Sequence, residues 1–347
     1  MPNGRARAGL ELWLVRQWQA PRPPWPLWPA LPLAWMWSAA ATARGALYRA
    51  GVLHALPTPR PTVVVGNLVV GGAGKTPIVM ALVEHLRAAG HRPGVIARGH
   101  GRSGTNACLV NRDSPAQEVG DEPLLVHLRT GAPVAVGRDR VAAAMALCRA
   151  HPDLTVIVSD DGLQHLRLAR DAQIIAFDDR GVGNGHVLPV GPLREPMPTA
   201  PPPRTIVIYT RGSASTPWPG LSGSRRLGGF WPLADWWRAD AARVVTAPAL
   251  CGRPLLAAAG LARPEGFFAM LREAGLIIRE LPLPDHATFD TLPWGKSEPE
   301  VVITEKDAVK LTPDRVGTTR VWVARLDFDL PPDFDAALAP WLPRPQP

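Results

Sequence analysis

Cysteine is nearly missing from this chain of 347 residues. The three present, Cys108, Cys148 and Cys251, stand far apart, are odd in number and form no Cys-x-x-Cys pair. Neither a disulfide framework nor a thiolate metal site of ordinary spacing is encoded, and a reduced, intracellular setting is the simplest reading. Also missing is any uninterrupted apolar run of the roughly 20 residues that a spanning helix needs. The longest candidate, Leu33 to Leu53, is stopped by the prolines between Pro21 and Pro32 on one side and interrupted by Arg44 on the other. The basic start is followed by an apolar run that comes late and is broken by proline, unlike a secretory leader. No internal repeat is apparent. Acidic residues are the scarcer charge, 30 against 38 Lys and Arg, for a net charge of +8. That balance favours anionic partners such as nucleotide, phosphorylated substrate or acidic lipid. Nucleic acid is not expected, because the basic residues are scattered and the tryptophans gather at the N-terminus instead of alternating along a positive groove.

What is present is organised around Val63-Val64-Val65-Gly66-Asn67-Leu68-Val69-Val70-Gly71-Gly72-Ala73-Gly74-Lys75-Thr76-Pro77. A β-branched run ends in a glycine-rich turn that closes on Gly-Lys-Thr and opens a helical pattern, the layout of a phosphate-binding loop. The main-chain N–H groups from Val69 to Thr76, Ala73 included, can cradle phosphate oxygens; Lys75 can reach the β- and γ-phosphates and the Thr76 hydroxyl can hold Mg²⁺. The strict pattern has glycine where this chain has Val69.

The rest of the chain reads as short strands and helices. Apolar content of 46% is enough for real cores, and the length suits two domains. Trp13, Trp18, Trp25 and Trp28 are interleaved with Arg5, Arg7, Arg16 and Arg22, and a helix over Leu33–Leu53 follows. Tryptophan with arginine suits a membrane interface; the alternative is that the rings pack on their own domain. Strands are expected at Thr62–Val65, Pro93–Ala97, Leu154–Ser159, Ala172–Phe177 and Thr205–Tyr209, with Gly212 to Gly229 as loop. Further strands follow at Pro254–Ala258, Leu276–Leu281, Glu300–Thr304 and Arg320–Ala324.

Asp160 and Asp161 close an apolar strand downstream of the loop, the position of a magnesium-organising acidic pair; spacing does not choose between them. Gln164 and His165 follow closely enough to serve the same site. Arg194, in a proline-stiffened loop, is a candidate phosphate clamp. Asp121, in Gly120-Asp121-Glu122-Pro123, has the chemistry of a helix N-cap.

Taken in order, these motifs resemble the tetraacyldisaccharide 4′-kinase family. Beside the loop and Gly120-Asp121-Glu122-Pro123, the resemblance is carried by Ser103-Gly104 after Arg98-Gly99-His100-Gly101-Arg102, Ser159-Asp160-Asp161-Gly162-Leu163-Gln164-His165, Leu193-Arg194-Glu195-Pro196, Asp285-His286 and Thr304-Glu305-Lys306-Asp307-Ala308-Val309-Lys310. It implies ATP- and Mg²⁺-dependent phosphorylation of the 4′-hydroxyl of a tetraacyl glucosamine disaccharide 1-phosphate, in lipid A biosynthesis. The setting implied is the cytoplasmic face of the bacterial inner membrane, with peripheral attachment to its surface. By resemblance Asp121 is the base, His286 orients it, and Glu122 supports the site. The expected fold is α/β: residues 1–55 as a Trp/Pro-rich segment and interfacial amphipathic helix, 56–200 as a P-loop domain with a mostly parallel sheet, and 201–347 as a smaller α/β domain closing over the sugar. The rival is a membrane-recruited P-loop switch ATPase or GTPase. Those often carry a second lysine where this chain has Val70, and no base-specifying Asn-Lys-x-Asp occurs here.

Overall fold

The structure, a computed structural model, describes residues 13–72, 74–102, 104–285 and 287–343. Arg5, Arg7, Ala73, Ser103 and His286 fall outside them. The chain forms two compact units, each built from separate stretches. One takes the chain up to Lys75, Asp161–Gly223 and a piece from Pro331; the other takes Thr76–Asp160 and Ser224–Leu330.

In the first unit, strands Thr62–Gly66, Ala172–Phe177, Thr205–Tyr209 and Leu221–Ser222 lie side by side in that order, all parallel. Val63, Val64 and Val65 are all fully buried. That is why they read as an unbroken apolar run and not as an alternation: both faces of the strand are covered. Behind the sheet, Phe177 stacks on Tyr209 and meets Trp218 edge-on at 5.8 Å. Trp18, Leu27 and Ala34 join this core.

The N-terminal helix runs from Leu31 to Arg49. It starts two residues before the expected Leu33, because Pro32 sits in the first turn where its missing N–H has no role. It ends short of Leu53, with Gly51 in the left-handed region at φ 72. Its inward stripe is Leu31, Ala34, Ser38, Ala41, Gly45 and Tyr48, mostly small residues, while Leu33, Trp35, Met36, Trp37 and Leu47 are exposed. The tryptophans therefore divide. Trp18 is buried and donates its indole N–H to the carbonyl of Pro189 at 3.0 Å, whereas Trp25, Trp28, Trp35 and Trp37 face outward. No helix among the described residues is long and apolar enough to cross a membrane.

The second unit holds two sheets. In one, Val134–Val136, Pro93–Ala97 and Val156–Asp160 are parallel neighbours, with Cys108–Val110 antiparallel on Val134–Val136. In the other, Ile277–Pro282, Pro254–Ala259, Glu300–Thr304 and Arg320–Asp329 are parallel and Ser224–Pro232 runs antiparallel along the edge. Ser224–Pro232 corrects the expectation of loop over Gly212–Gly229. Ser224 to Leu227 carry no apolar alternation. They are held from across the sheet, where Arg226 pairs with Asp329 at 3.0 Å and with Asp327 at 3.3 Å. For the same reason the last strand runs past Ala324 to Asp329. Phe230, Leu255, Phe268, Leu271, Val302 and Trp322 form the core of this sheet.

Candidate active site

In the first unit the site grows from the end of strand Thr62–Gly66. A Cβ on Gly66 would lie 2.6 Å from the Cβ of Leu163, so only glycine lets the Gly162-Leu163 turn close against the strand. The next residue, Asn67, is fully buried. Its Oδ1 accepts from Lys75 Nζ at 2.9 Å, and its Nδ2 donates to the carbonyl of Gly71 at 3.3 Å. One amide thus fixes both the lysine and the loop. Gly71 and Gly74 have φ of 99° and 77°, a conformation in which an L side chain is strained.

Leu68, Val69 and Val70 pair with the stretch around Arg194. The N–H of Val70 donates to the carbonyl of Pro192 at 2.8 Å, and that of Arg194 to the carbonyl of Leu68 at 2.7 Å. This pairing buries Val69 and delivers Arg194 to the site. Its Nη1 lies 2.9 Å from Asp161 Oδ1 and 3.1 Å from Gln164 Oε1. Lys75 Nζ is 3.3 Å from the same Asp161 oxygen. Burial alone would push the Asp161 carboxyl up, but Lys75 and Arg194 outweigh it and hold the group below its ordinary 3.8. Gln164 also donates to the carbonyl of Asn67 at 3.2 Å and to Glu195 at 3.1 Å. His165 is half-buried and holds the turn through main-chain bonds to Gly162 and Leu168.

Four contributors here were not singled out as site residues from the sequence. Asn67 is one. Trp37 and Arg44, from the N-terminal helix, donate to the carbonyls of Arg194 and Gln164 at 2.8 and 3.2 Å. The fourth, Arg180, is gripped by the Asp178 carboxylate at 2.6–3.0 Å. Its Nη1 lies 3.5 Å from where a Cβ on Gly71 would be. None of these carries a local signal, because each acts through a partner remote in sequence or through the main chain.

In the second unit, Thr76 is half-buried in the first turn of the helix Lys75–Ala88, and Asp160 is the buried last residue of its strand. Around Asp121 stands a distinct cluster. Gly120, at φ 95, is the N-cap of helix Asp121–Thr130, and no side chain caps it. The capping role expected for Asp121 is thereby corrected: its carboxylate occupies the first helical position. Lys310 Nζ lies 3.7 Å from Asp121 Oδ2 and 3.2 Å from Asp307 Oδ1. Asp307 is fully buried and accepts from the N–H of Gly260 at 3.0 Å and the Thr304 hydroxyl at 2.7 Å. Lys306 meets Asp285 at 3.1 Å and Glu122 at 3.4 Å. Burial opposes its charge, yet Glu122 and Asp285 outweigh burial and raise it above 10.5. At the far end of the helix, Arg129 is bound by Glu305 and by Asp327 at 2.8 Å, and Trp236 donates to Glu305 at 3.0 Å. Among the described residues no group of three or more His, Cys, Asp or Glu side chains is arranged to hold a metal.

These two clusters, one of cations at a glycine turn and one of lysines around carboxylates, can be set beside known proteins. Residues 26–342 match the family model described as LpxK: Tetraacyldisaccharide-1-P 4′-kinase. The chain is 52% identical to the tetraacyldisaccharide 4′-kinase of Methylibium petroleiphilum, covering 99% of this chain and 98% of that one. It is 50% identical to the same-named protein of Leptothrix cholodnii over 92% of this chain and 93% of that one. Among solved structures, LpxK from Aquifex aeolicus in complex with ATP superposes with a TM-score of 0.73 at 26% identity, covering 89% of this chain and 96% of that chain. The mixed α/β architecture with mostly parallel sheets and an N-terminal helix is shared with that structure. By the extent of these matches, the chain belongs to the tetraacyldisaccharide-1-P 4′-kinase family.

Proposed function

We infer that the chain is an ATP-dependent kinase that phosphorylates the 4′-hydroxyl of a tetraacyldisaccharide 1-phosphate in lipid A biosynthesis. Beside the family match, the observation that carries the reading is the convergence of Lys75 and Arg194 on Asp161 beside the Gly71–Gly74 turn. Phosphoryl transfer is catalysed by positioning and by offsetting charge on the transferred group, and this part of the chain is built to do both. Main-chain N–H groups of Gly71 to Thr76 hold the triphosphate of ATP. Lys75, held by Asn67, offsets charge as it develops, and Arg194 serves as a clamp.

Thr76 with Asp160 or Asp161 would hold Mg²⁺. A hydroxyl and one or two carboxylates, completed by phosphate oxygens and water, is the donor set that ion takes. One oxygen of Asp161 already faces two cations, which favours Asp160 as the ligand. When bound, the ion supplies further charge neutralisation at the phosphates.

Asp121 accepts the proton of the sugar hydroxyl. It is a carboxylate in the first turn of the helix Asp121–Thr130, with the Lys310 ammonium 3.7 Å away. His286 is proposed to orient it, and Glu122, Gln164 and His165 support the site. The lipid acceptor places the protein at a membrane surface. We assign the contact to the helix Leu31–Arg49, whose exposed Leu33, Trp35, Met36, Trp37 and Leu47 are accompanied by Arg44 and Arg49. Attachment is peripheral, at the cytoplasmic face of the inner membrane.

The test is incubation with γ-labelled ATP and the tetraacyl disaccharide 1-phosphate in mixed micelles. Label should enter the lipid fraction. Label released only as inorganic phosphate would favour a switch ATPase instead.

A further inference from the structure

Arg180 is a cation beside the glycine turn to which the mechanism above gives no part. Strand Ala172–Phe177 lies parallel to Thr62–Gly66, with Ile175 opposite Gly66. The two strands therefore end on the same side, and open parallel sheets bind ligands outside those carboxyl ends. One strand end leads into the glycine turn. The other leads at once into Asp178 and Arg180, whose side chains are only 5% and 13% exposed.

The Asp178 carboxylate holds one edge of the guanidinium. Nε donates to its two oxygens at 3.0 and 2.9 Å, and Nη2 donates to Oδ2 at 2.6 Å. A planar fork gripped by that edge turns its third nitrogen, Nη1, the other way. Nη1 has no acceptor among the described residues. It stands 3.5 Å from where a Cβ on Gly71 would be, with Nη2 at 3.8 Å. A side chain at Gly71 would lie against the guanidinium; glycine leaves it facing the turn.

The corner that carries Arg180 is tied down. Its own N–H donates to Asp178 Oδ1 at 3.1 Å, and the N–H groups of Gly181 and Gly183 donate to the carbonyls of Asp178 and Arg180, both at 3.1 Å. The Ser215 hydroxyl donates to the Asp178 carbonyl at 2.6 Å. A donor fixed in advance loses little freedom when it binds. Asp178 already satisfies the charge of the buried guanidinium, so the donors on Nη1 remain for something else at the turn. We propose that Arg180 is a nucleotide-binding residue: its Nη1 donates to a phosphate oxygen of the ATP held at the Gly71–Gly74 turn, and Asp178 aims it. The proposal rests on the reading of that turn as the triphosphate site.

The test is equilibrium binding of ATP, and of inorganic tripolyphosphate, which lacks the nucleoside. The full chain is compared as wild type, Arg180→Gln, Arg180→Lys and Arg180→Gln combined with Asp178→Asn, with thermal melts alongside. Arg180→Gln should weaken both probes by about tenfold. The combined variant, which leaves no carboxylate bared, should weaken them equally. Arg180→Lys keeps the charge but not the fork, so it should lose less. A folded Arg180→Gln that binds both probes as wild type does overturns the proposal and leaves the Asp178–Arg180 pair a structural one. A loss for ATP with none for tripolyphosphate overturns it too, because the contact would then be to the nucleoside. So does wild-type affinity in the combined variant, since the loss in Arg180→Gln would then come from the bared Asp178. If Arg180→Gln does not fold, the combined variant is read in its place. Unaltered binding of both probes by Lys75→Ala would instead remove the triphosphate reading beneath the proposal.

Discussion

The indole N–H of Trp37 donates to the main-chain carbonyl of Arg194 across 2.8 Å. Trp37 belongs to the helix that turns its large apolar side chains outward, and Arg194 is a cation paired with Asp161. Arg44, two turns further along the same helix, does the same for the carbonyl of Gln164. The helix is therefore part of the frame that holds Arg194 and Gln164, beyond the lipid-surface role proposed for it.

Trp37→Phe separates the two roles. It keeps an aromatic ring at the surface and deletes the donor. A single hydrogen bond is worth about 1 kcal/mol, so kcat/KM for ATP should fall about fivefold while binding to anionic vesicles is unchanged. A loss of vesicle binding with unaltered ATP kinetics would show that Trp37 serves only the surface.

Lys75→Ala should damage ATP use itself. Its ammonium is fixed by Asn67 and faces Asp161. Removing such a preorganised donor lowers kcat by about 10²–10³-fold, and the KM for ATP should rise as well. Steady-state kinetics at saturating lipid acceptor would reveal this, and near-normal kcat would place the triphosphate elsewhere.

Asp121→Ala should do the opposite to binding. With no base, kcat should fall by about 10²–10⁴-fold, while ATP affinity measured by equilibrium titration stays close to wild type. Weakened ATP binding with a proportionate loss of turnover would mean that Asp121 serves the nucleotide and not the acceptor.

Much of this was legible in the chain before its structure, and the reason is local chemistry. Val63-Val64-Val65 had to be a covered strand, the glycines after it had to turn, and the apolar run before the aspartates had to be a strand, which takes in Asp160 as its last residue. Asp121 stood out only through family resemblance; its spacing suggested a cap, which Gly120 supplies instead. Strand Ser224–Pro232 was not legible, because it is held by pairing with a segment far along the chain and not by its own pattern. Asn67, Arg180 and Trp37 gain their contacts only from what folding brings beside them. The outward apolar face of Leu31–Arg49 was half legible: tryptophan and arginine were visible, but the burial of Trp18 against the exposure of Trp35 was not.

Two ion-paired groups, Asp161 and Lys306, set opposite pH windows for stability. The folded Asp161 carboxyl is held below its ordinary 3.8. Its contribution is full above that value and is lost as pH falls through the lower folded value. Lys306 is raised above 10.5 by Glu122 and Asp285. Its contribution is full below 10.5 and is lost as pH rises through the higher folded value. Urea midpoints measured across pH should therefore show Lys75→Ala losing part of the acid-side fall in stability. Lys306→Met should lose part of the alkaline-side fall. An unchanged alkaline slope in Lys306→Met would mean that the Glu122 and Asp285 contacts contribute nothing in solution.

The most direct measurement is the position of the new phosphate. Unlabelled lipid product from wild-type enzyme, purified and examined by two-dimensional ³¹P–¹H NMR, should show one new phosphomonoester coupled to the proton at C4′ of the distal glucosamine, with the 1-phosphate intact. A phosphate coupled to any other position, or acceptor recovered unmodified after ATP has been consumed, would contradict a 4′-kinase.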